Sequence, residues 1–148
     1  MRALLIAIVT LAAACSPPAA TTTETPEPPA APSPDANTQA VLSILTPIIG
    51  AEVGKPVSLR VNTANVRDEW AYVDAAVLNA DGSAIDWSTT NLASAYTNGA
   101  MDTGGGLHAL LKNQGGVWVV LEHVIAPTDV AWIGWAETHN VPPGVVPN

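Results

Sequence analysis

The side chains best suited to acid–base work near neutral pH are the three histidines, His108, His123 and His139. They make no metal-ligating pattern. HxH and HExxH spacings are absent from the sequence, and each histidine falls in a different predicted element. A metal site needs about three convergent N, O or S donors, so neither a metal nor a cofactor is expected. The carboxylate best placed to partner a histidine is Asp74. It follows "WAYV", and two-residue alternation along a strand puts Trp70, Tyr72 and Asp74 on one face. Were that face the concave side of a sheet, Asp74 with His108 or His123 could move protons. The simpler reading, and the favoured one, has Asp74 facing water or pairing with Arg60 on the neighbouring strand. Glu122 and His123 are adjacent on a strand and so face opposite sides. Trp87, between "ID" and "STT", could help to line a pocket. Ser88, Thr89 and Thr90 have no nucleophile-elbow context. The glycines at 104, 105 and 106 precede no GK[ST] and are not a phosphate loop. The candidate ligand-binding set is Trp87, Asp74 and Tyr72, with no catalytic residue assigned.

The single cysteine, Cys15, lies in "LIAIVTLAAACSPP". Arg2 precedes an apolar run over residues 3–14, broken only by Thr10. A membrane span needs roughly 20 apolar residues, and this run is about twelve. A positive start, a short apolar segment and small residues before a cut mark a secretory signal peptide over residues 1–14. The approach to the cysteine resembles the lipobox of bacterial lipoproteins, with Ala12 where leucine is usual. That resemblance implies cleavage before Cys15 and acylation of its thiol. Two or more acyl chains, each burying CH₂ groups at about 0.8 kcal/mol apiece, hold a protein on a membrane stably. Ser16 stands where Asp tends to retain such proteins at the inner membrane, which favours the outer membrane facing the periplasm. With one cysteine the mature chain has no internal disulfide.

Residues 16–36 contain seven prolines and no lysine or arginine. Such a stretch cannot bury enough surface to offset its ordering entropy. It is expected to act as a spacer in residues 15–36, reaching about 65 Å if fully extended. Residues 37–148 then suffice for a single core. Without Arg2 the chain carries four basic and thirteen acidic side chains, a formal charge of −9. Nucleic acid and anionic head groups both call for clustered Lys or Arg and are not expected as partners.

The elements that must position the candidate residues follow from period and punctuation. Ala40, Val41, Ile44, Leu45, Ile48 and Ile49 form one helical stripe, with Asp35 or Asn37 as the cap and Pro47 expected to kink it. "PVSLRVNTANV" and "WAYVDAAVLN" alternate as strands, the second ending at "ADGS". "AIDWSTT" reads as a short strand or ordered loop, and residues 91–106 as a long mobile loop. "LHALLKN", "QGG" and "VWVVLEHVI" predict a hairpin. "PTDVAWIGWAETH" predicts a short helix capped by Thr128 or Asp129, with Trp132, Trp135, Ala136 and His139 at helical spacing. Together these give α+β: a helix on a curved antiparallel sheet of about four strands, as in cystatin-like and NTF2-like folds. The alternative is a small SH3-like barrel.

"GKPVSLRV", "EWAYVDA", "DGSAIDW", "GGVWVV" and "TDVAWIGW", taken together, resemble a group of small exported bacterial proteins of unknown function. The resemblance spans about residues 38–136 and implies a shared fold and export, with no site residue to carry over. The expected protein is a lipid-anchored envelope module, non-catalytic, presented to an unidentified envelope protein or small molecule. Two alternatives are an enzyme using Asp74 with a histidine, and a cystatin-like inhibitor acting through the hairpin at "NQGGV".

Overall fold

A computed structural model describes residues 35–147, which lie within one compact unit. The predicted signal segment, Cys15 and the proline-rich stretch as far as residue 34 lie outside the described residues. The architecture is α+β, with one long helix packed on an open four-stranded antiparallel sheet and a short C-terminal helix. None of the described helices is long and apolar enough to cross a membrane.

Helix α1 spans Ala36–Val53. Asp35 caps it by accepting from the Thr38 amide at 2.8 Å, so the domain begins one or two residues before the predicted boundary. Gly54 ends it at φ 84°, a left-handed conformation that glycine adopts without a Cβ penalty. A Cβ there would also sit 2.6 Å from the Asn91 side chain. The helix runs unbroken through Pro47. Its buried stripe is Val41, Leu45, Ile49 and Val53, all fully buried. The predicted stripe was too wide: Ile44 and Ile48 are 36% and 38% exposed. Ile44 and Ile48 each precede a buried residue by one position, about 100° around the helix, and so stand at the flank of the face pressed on the sheet.

The strands are β1 (Val57–Arg67), β2 (Trp70–Asn79), β3 (Gly106–Gln114) and β4 (Val117–Ile125), paired in sequence order. The β3–β4 turn uses Gly115 and Gly116 at φ 64° and 94°, the left-handed pair that a two-residue hairpin loop requires. Two register irregularities matter for the site. On β1 the irregularity falls between Val61 and Thr63, leaving Asn62 unpaired. On β4 it leaves Leu121 outside the ladder, between partners of Leu110 and Leu111. An extra residue of this kind re-aims the side chains beside it. Strict alternation predicts Glu122 on the face of Trp118 and Val120. The bulge instead puts Leu121 and Glu122 together on the other face, and His123 alone toward α1.

Both faces of the sheet are covered. Helix α1 covers one, over Val57, Ala71, Val73, Ala75, Val77, Leu107, Ala109 and Leu111. The C-terminal stretch covers the other: Val141, Val145 and Val146, with Trp132, Trp135 and Ala136 beside them, bury Trp70, Tyr72 and Leu110. Three polar contacts fasten that stretch down. The Asn65 amide donates to the Val145 carbonyl at 2.8 Å. The Arg67 guanidinium donates to the Pro143 carbonyl at 3.0 Å. His139 meets Glu122 at 2.9 Å. The helix in this stretch, α3, spans only Trp135–Thr138, so Asp129 does not cap it as predicted.

The predicted mobile loop is instead anchored. It contains α2 (Ala93–Thr97), and Leu92 and Ala95 pack on the core with buried Met101. A five-residue helix is too short to show a period in sequence.

Candidate functional site

Alternation on β2 places Trp70, Tyr72 and Asp74 on the face covered by the C-terminal stretch. The register of β3 then sets His108 opposite Asp74 and Leu110 opposite Tyr72. The Tyr72 hydroxyl lies 2.8 Å from His108 Nδ1. The other side of the imidazole is stacked on Trp132, with ring centroids 3.6 Å apart and planes at 23°. Asp74, half-buried, accepts from the Asn62 amide at 3.1 Å, which is the bond the β1 irregularity permits. Arg60, offered with water as what Asp74 would face, stands in register with Ala76, while Thr63 is across from Asp74.

The protons in this group can be assigned from the geometry. Tyr72 is only 1% exposed, and burial together with the Asp74 charge pushes its pKa well above the ordinary range. The phenol therefore keeps its proton. Among the described residues its hydroxyl has one hydrogen-bond partner, His108 Nδ1. The O–H donates to Nδ1, so the imidazole proton sits on Nε2. Burial holds the His108 pKa below its ordinary value of 6.5, opposed by the weaker pull of Asp74. A protonated ring would have to donate from Nδ1, leaving the Tyr72 proton without an acceptor. The ring is neutral at pH 7.

A depressed histidine pKa sets the sign of a pH dependence. Between the folded and unfolded pKa values the unfolded chain binds more protons, so stability falls as pH drops below about 6.5 and levels off under the folded value. In paired chemical-denaturation series at pH 5 to 8, His108→Asn, whose amide oxygen can still accept from Tyr72, is expected to flatten that part of the profile. Parallel profiles for the two proteins would remove the assignment.

His108 lines a cavity of about 300 Å³ with Asp102, Gly106, Thr128, Asp129 and Trp132, beside Pro127 and Val130, and its Nε2 lies on the side of Gly106, 3.9 Å from where a Cβ on that glycine would be. Ligand pockets start at about this volume. A larger groove of about 620 Å³ runs along the end of α1, from Thr46 and Pro47 to Pro56 and Val57. Its walls are aliphatic but for Thr46 and Lys55, and the Lys55 ammonium is engaged by Asn79 and Thr89 at 3.4 and 3.3 Å. It offers no converging polar groups, so the smaller cavity is the better candidate despite its size.

The structure brings only part of the predicted site together. Tyr72 and Asp74 flank His108. Trp87 does not join them: it is 5% exposed in the cluster under α1 and lines neither cavity. Its ring lies 3.0 Å from where a Cβ on Gly105 would be, and Gly105 has φ 64°, so glycine is required there twice over. His123 is also on the α1 face, 2.6 Å from Glu52, and cannot meet Asp74. Trp132, Asp102 and Asp129 were not predicted as site residues. Among the described residues, no group of three or more His, Cys, Asp or Glu side chains is placed to hold a metal. Comparison of the chain with protein-family models, with curated proteins and with solved structures gave no match.

Proposed function

We propose that this chain is a lipid-anchored protein of the bacterial envelope whose domain is a non-catalytic binding module. The observation that carries the anchor is the apolar run of residues 3–14 leading through three alanines into Cys15, with a proline-rich spacer behind it. The binding role is supported by the way the reactive groups are used. Tyr72 is committed to His108 Nδ1, His108 to the face of Trp132, and Asp74 to Asn62. The phenol and Nδ1 satisfy each other, so only the Nε2 side of the ring is left for a ligand. What stays open to solvent is a small concavity bordered by the Nε2 side of His108. The spacer would hold that concavity away from the outer-membrane surface, facing the periplasm, where it meets small molecules or an envelope partner. Metabolic labelling with palmitate tests the anchor: label is expected to co-migrate with the chain in the membrane fraction. An unlabelled chain beside a labelled control lipoprotein would contradict it.

A further inference from the structure

We propose that the cavity beside His108 binds a small organic ammonium ion bearing a nearby hydroxyl, an amino alcohol. This deepens the binding-module reading and rests on it. Charge decides the sign of the ligand. Asp102 and Asp129 line the cavity and no lysine or arginine does. Of the four basic side chains in the described residues, three are engaged elsewhere. Lys55 is held by Asn79 and Thr89, Arg67 by the Pro143 carbonyl, and Lys112 by Glu69 and the Trp70 ring. The fourth, Arg60, is on edge strand β1 beside Ala76. His108 adds no positive charge at pH 7, because burial outweighs the pull of Asp74 and its Nδ1 accepts from Tyr72. A carboxylate or phosphate would meet the repulsion of both aspartates, and a neutral sugar could donate hydroxyls to them but would leave their charge uncompensated.

The walls decide that the cation is organic. Trp132, Pro127 and Val130 supply apolar surface beside the carboxylates, and alkylated ammonium groups are attracted to aromatic rings as well as to negative charge. A small inorganic cation would leave that surface unused. The hydroxyl follows from the tautomer: the Nε2–H needs an acceptor, and neither an ammonium nor a methyl group provides one. A hydroxyl oxygen two carbons from the cation can accept from Nε2 while the charge lies toward Asp102 and Asp129. The volume of about 300 Å³ accommodates a molecule of choline size.

Choline and its uncharged carbon isostere, 3,3-dimethylbutan-1-ol, are the probes. Each is titrated into the isotopically labelled full chain at fixed ionic strength, with binding read from amide and indole chemical shifts. Choline is expected to shift Asp102, Gly106, His108 and residues 128–132, and to bind at least tenfold more tightly than the isostere. The double variant Asp102→Asn/Asp129→Asn is expected to lose tenfold or more. Both side chains are exposed, and asparagine can still accept from the Gly104 amide as Asp102 does, so the fold is expected to persist; an unchanged spectrum away from the cavity verifies this. Equal binding of the two probes would overturn the ligand class while leaving a binding module. Shifts confined to the α1 groove, or an unaffected double variant, would overturn the site. Acylation is read by labelling, so none of these outcomes is confused with failure of the anchor.

Discussion

Leu110→Ala is expected to destabilise the domain by about 3 kcal/mol, as much as Leu45→Ala, because both leave a cavity in a closed layer. Both leucines are fully buried, but they lie on opposite sides of the sheet. Leu45 faces it from α1, whereas Leu110 faces away from α1, under Val141, Val145 and Val146. An antiparallel sheet commonly leaves one face to water, and on such a face an alanine costs little. Equal losses therefore test whether the C-terminal stretch is a structural layer of the same standing as the helix. Urea denaturation at one pH, with equal slopes for the two variants, makes the comparison direct. A loss near zero at Leu110 beside a full loss at Leu45 would mean that the stretch is not docked in solution.

A second large effect is expected at Trp87, where alanine should cost about 4 kcal/mol, in the range seen when buried aromatic residues are truncated. The indole is 5% exposed and packs with Val57, Val77 and Met101 in the cluster under α1. Its neighbour Gly105 is left-handed at φ 64° and so close that a Cβ there would sit 3.0 Å from the ring, so the backbone would have to leave that turn to fill the space left behind. The turn in turn feeds Gly106 and the start of β3, with the Val77 amide donating to the Gly105 carbonyl at 3.0 Å. The loss should fall on stability alone. Choline shifts at Asp102 and Trp132 should survive in the folded fraction, since Trp87 lies on the other side of the sheet. A stable Trp87→Ala variant that has lost choline binding would restore Trp87 to the binding site and overturn its assignment to the core.

The contrast between Trp87 and Trp132 marks what the sequence could convey. Period-two alternation placed Trp70, Tyr72 and Asp74 on one face correctly, and the turn at "QGG" follows from its two left-handed glycines. Asp35 was legible as a cap because its chemistry is local, an oxygen three residues from an orphan amide. Register is different. Whether His108 or its neighbour lies across from Asp74 depends on two hairpin geometries and an intervening loop, and a one-residue slip would turn His108 to the other face. The bulge at Leu121 sent Glu122 to the face opposite its predicted one for the same reason. Trp132 over His108 is a contact 24 residues apart in sequence, set by a stretch with little regular structure. Ile44 and Ile48 belong to the helical period, yet the width of the buried stripe is decided by the sheet beneath it and not by the helix. Trp87 carried no alternation either way, so only the packed structure separates core from pocket.

Where the domain meets its ligand depends on its being held in the envelope, and that rests on one atom, the sulfur of Cys15. The most direct measurement is intact mass and detergent phase partitioning of the full-length gene product, wild type against Cys15→Ala. The wild type should leave the membrane fraction as a chain beginning at an acylated Cys15 and enter the detergent phase. The variant should lose the lipid mass and move to the aqueous phase. An unmodified, aqueous product from both would contradict the anchor and leave a secreted domain in its place.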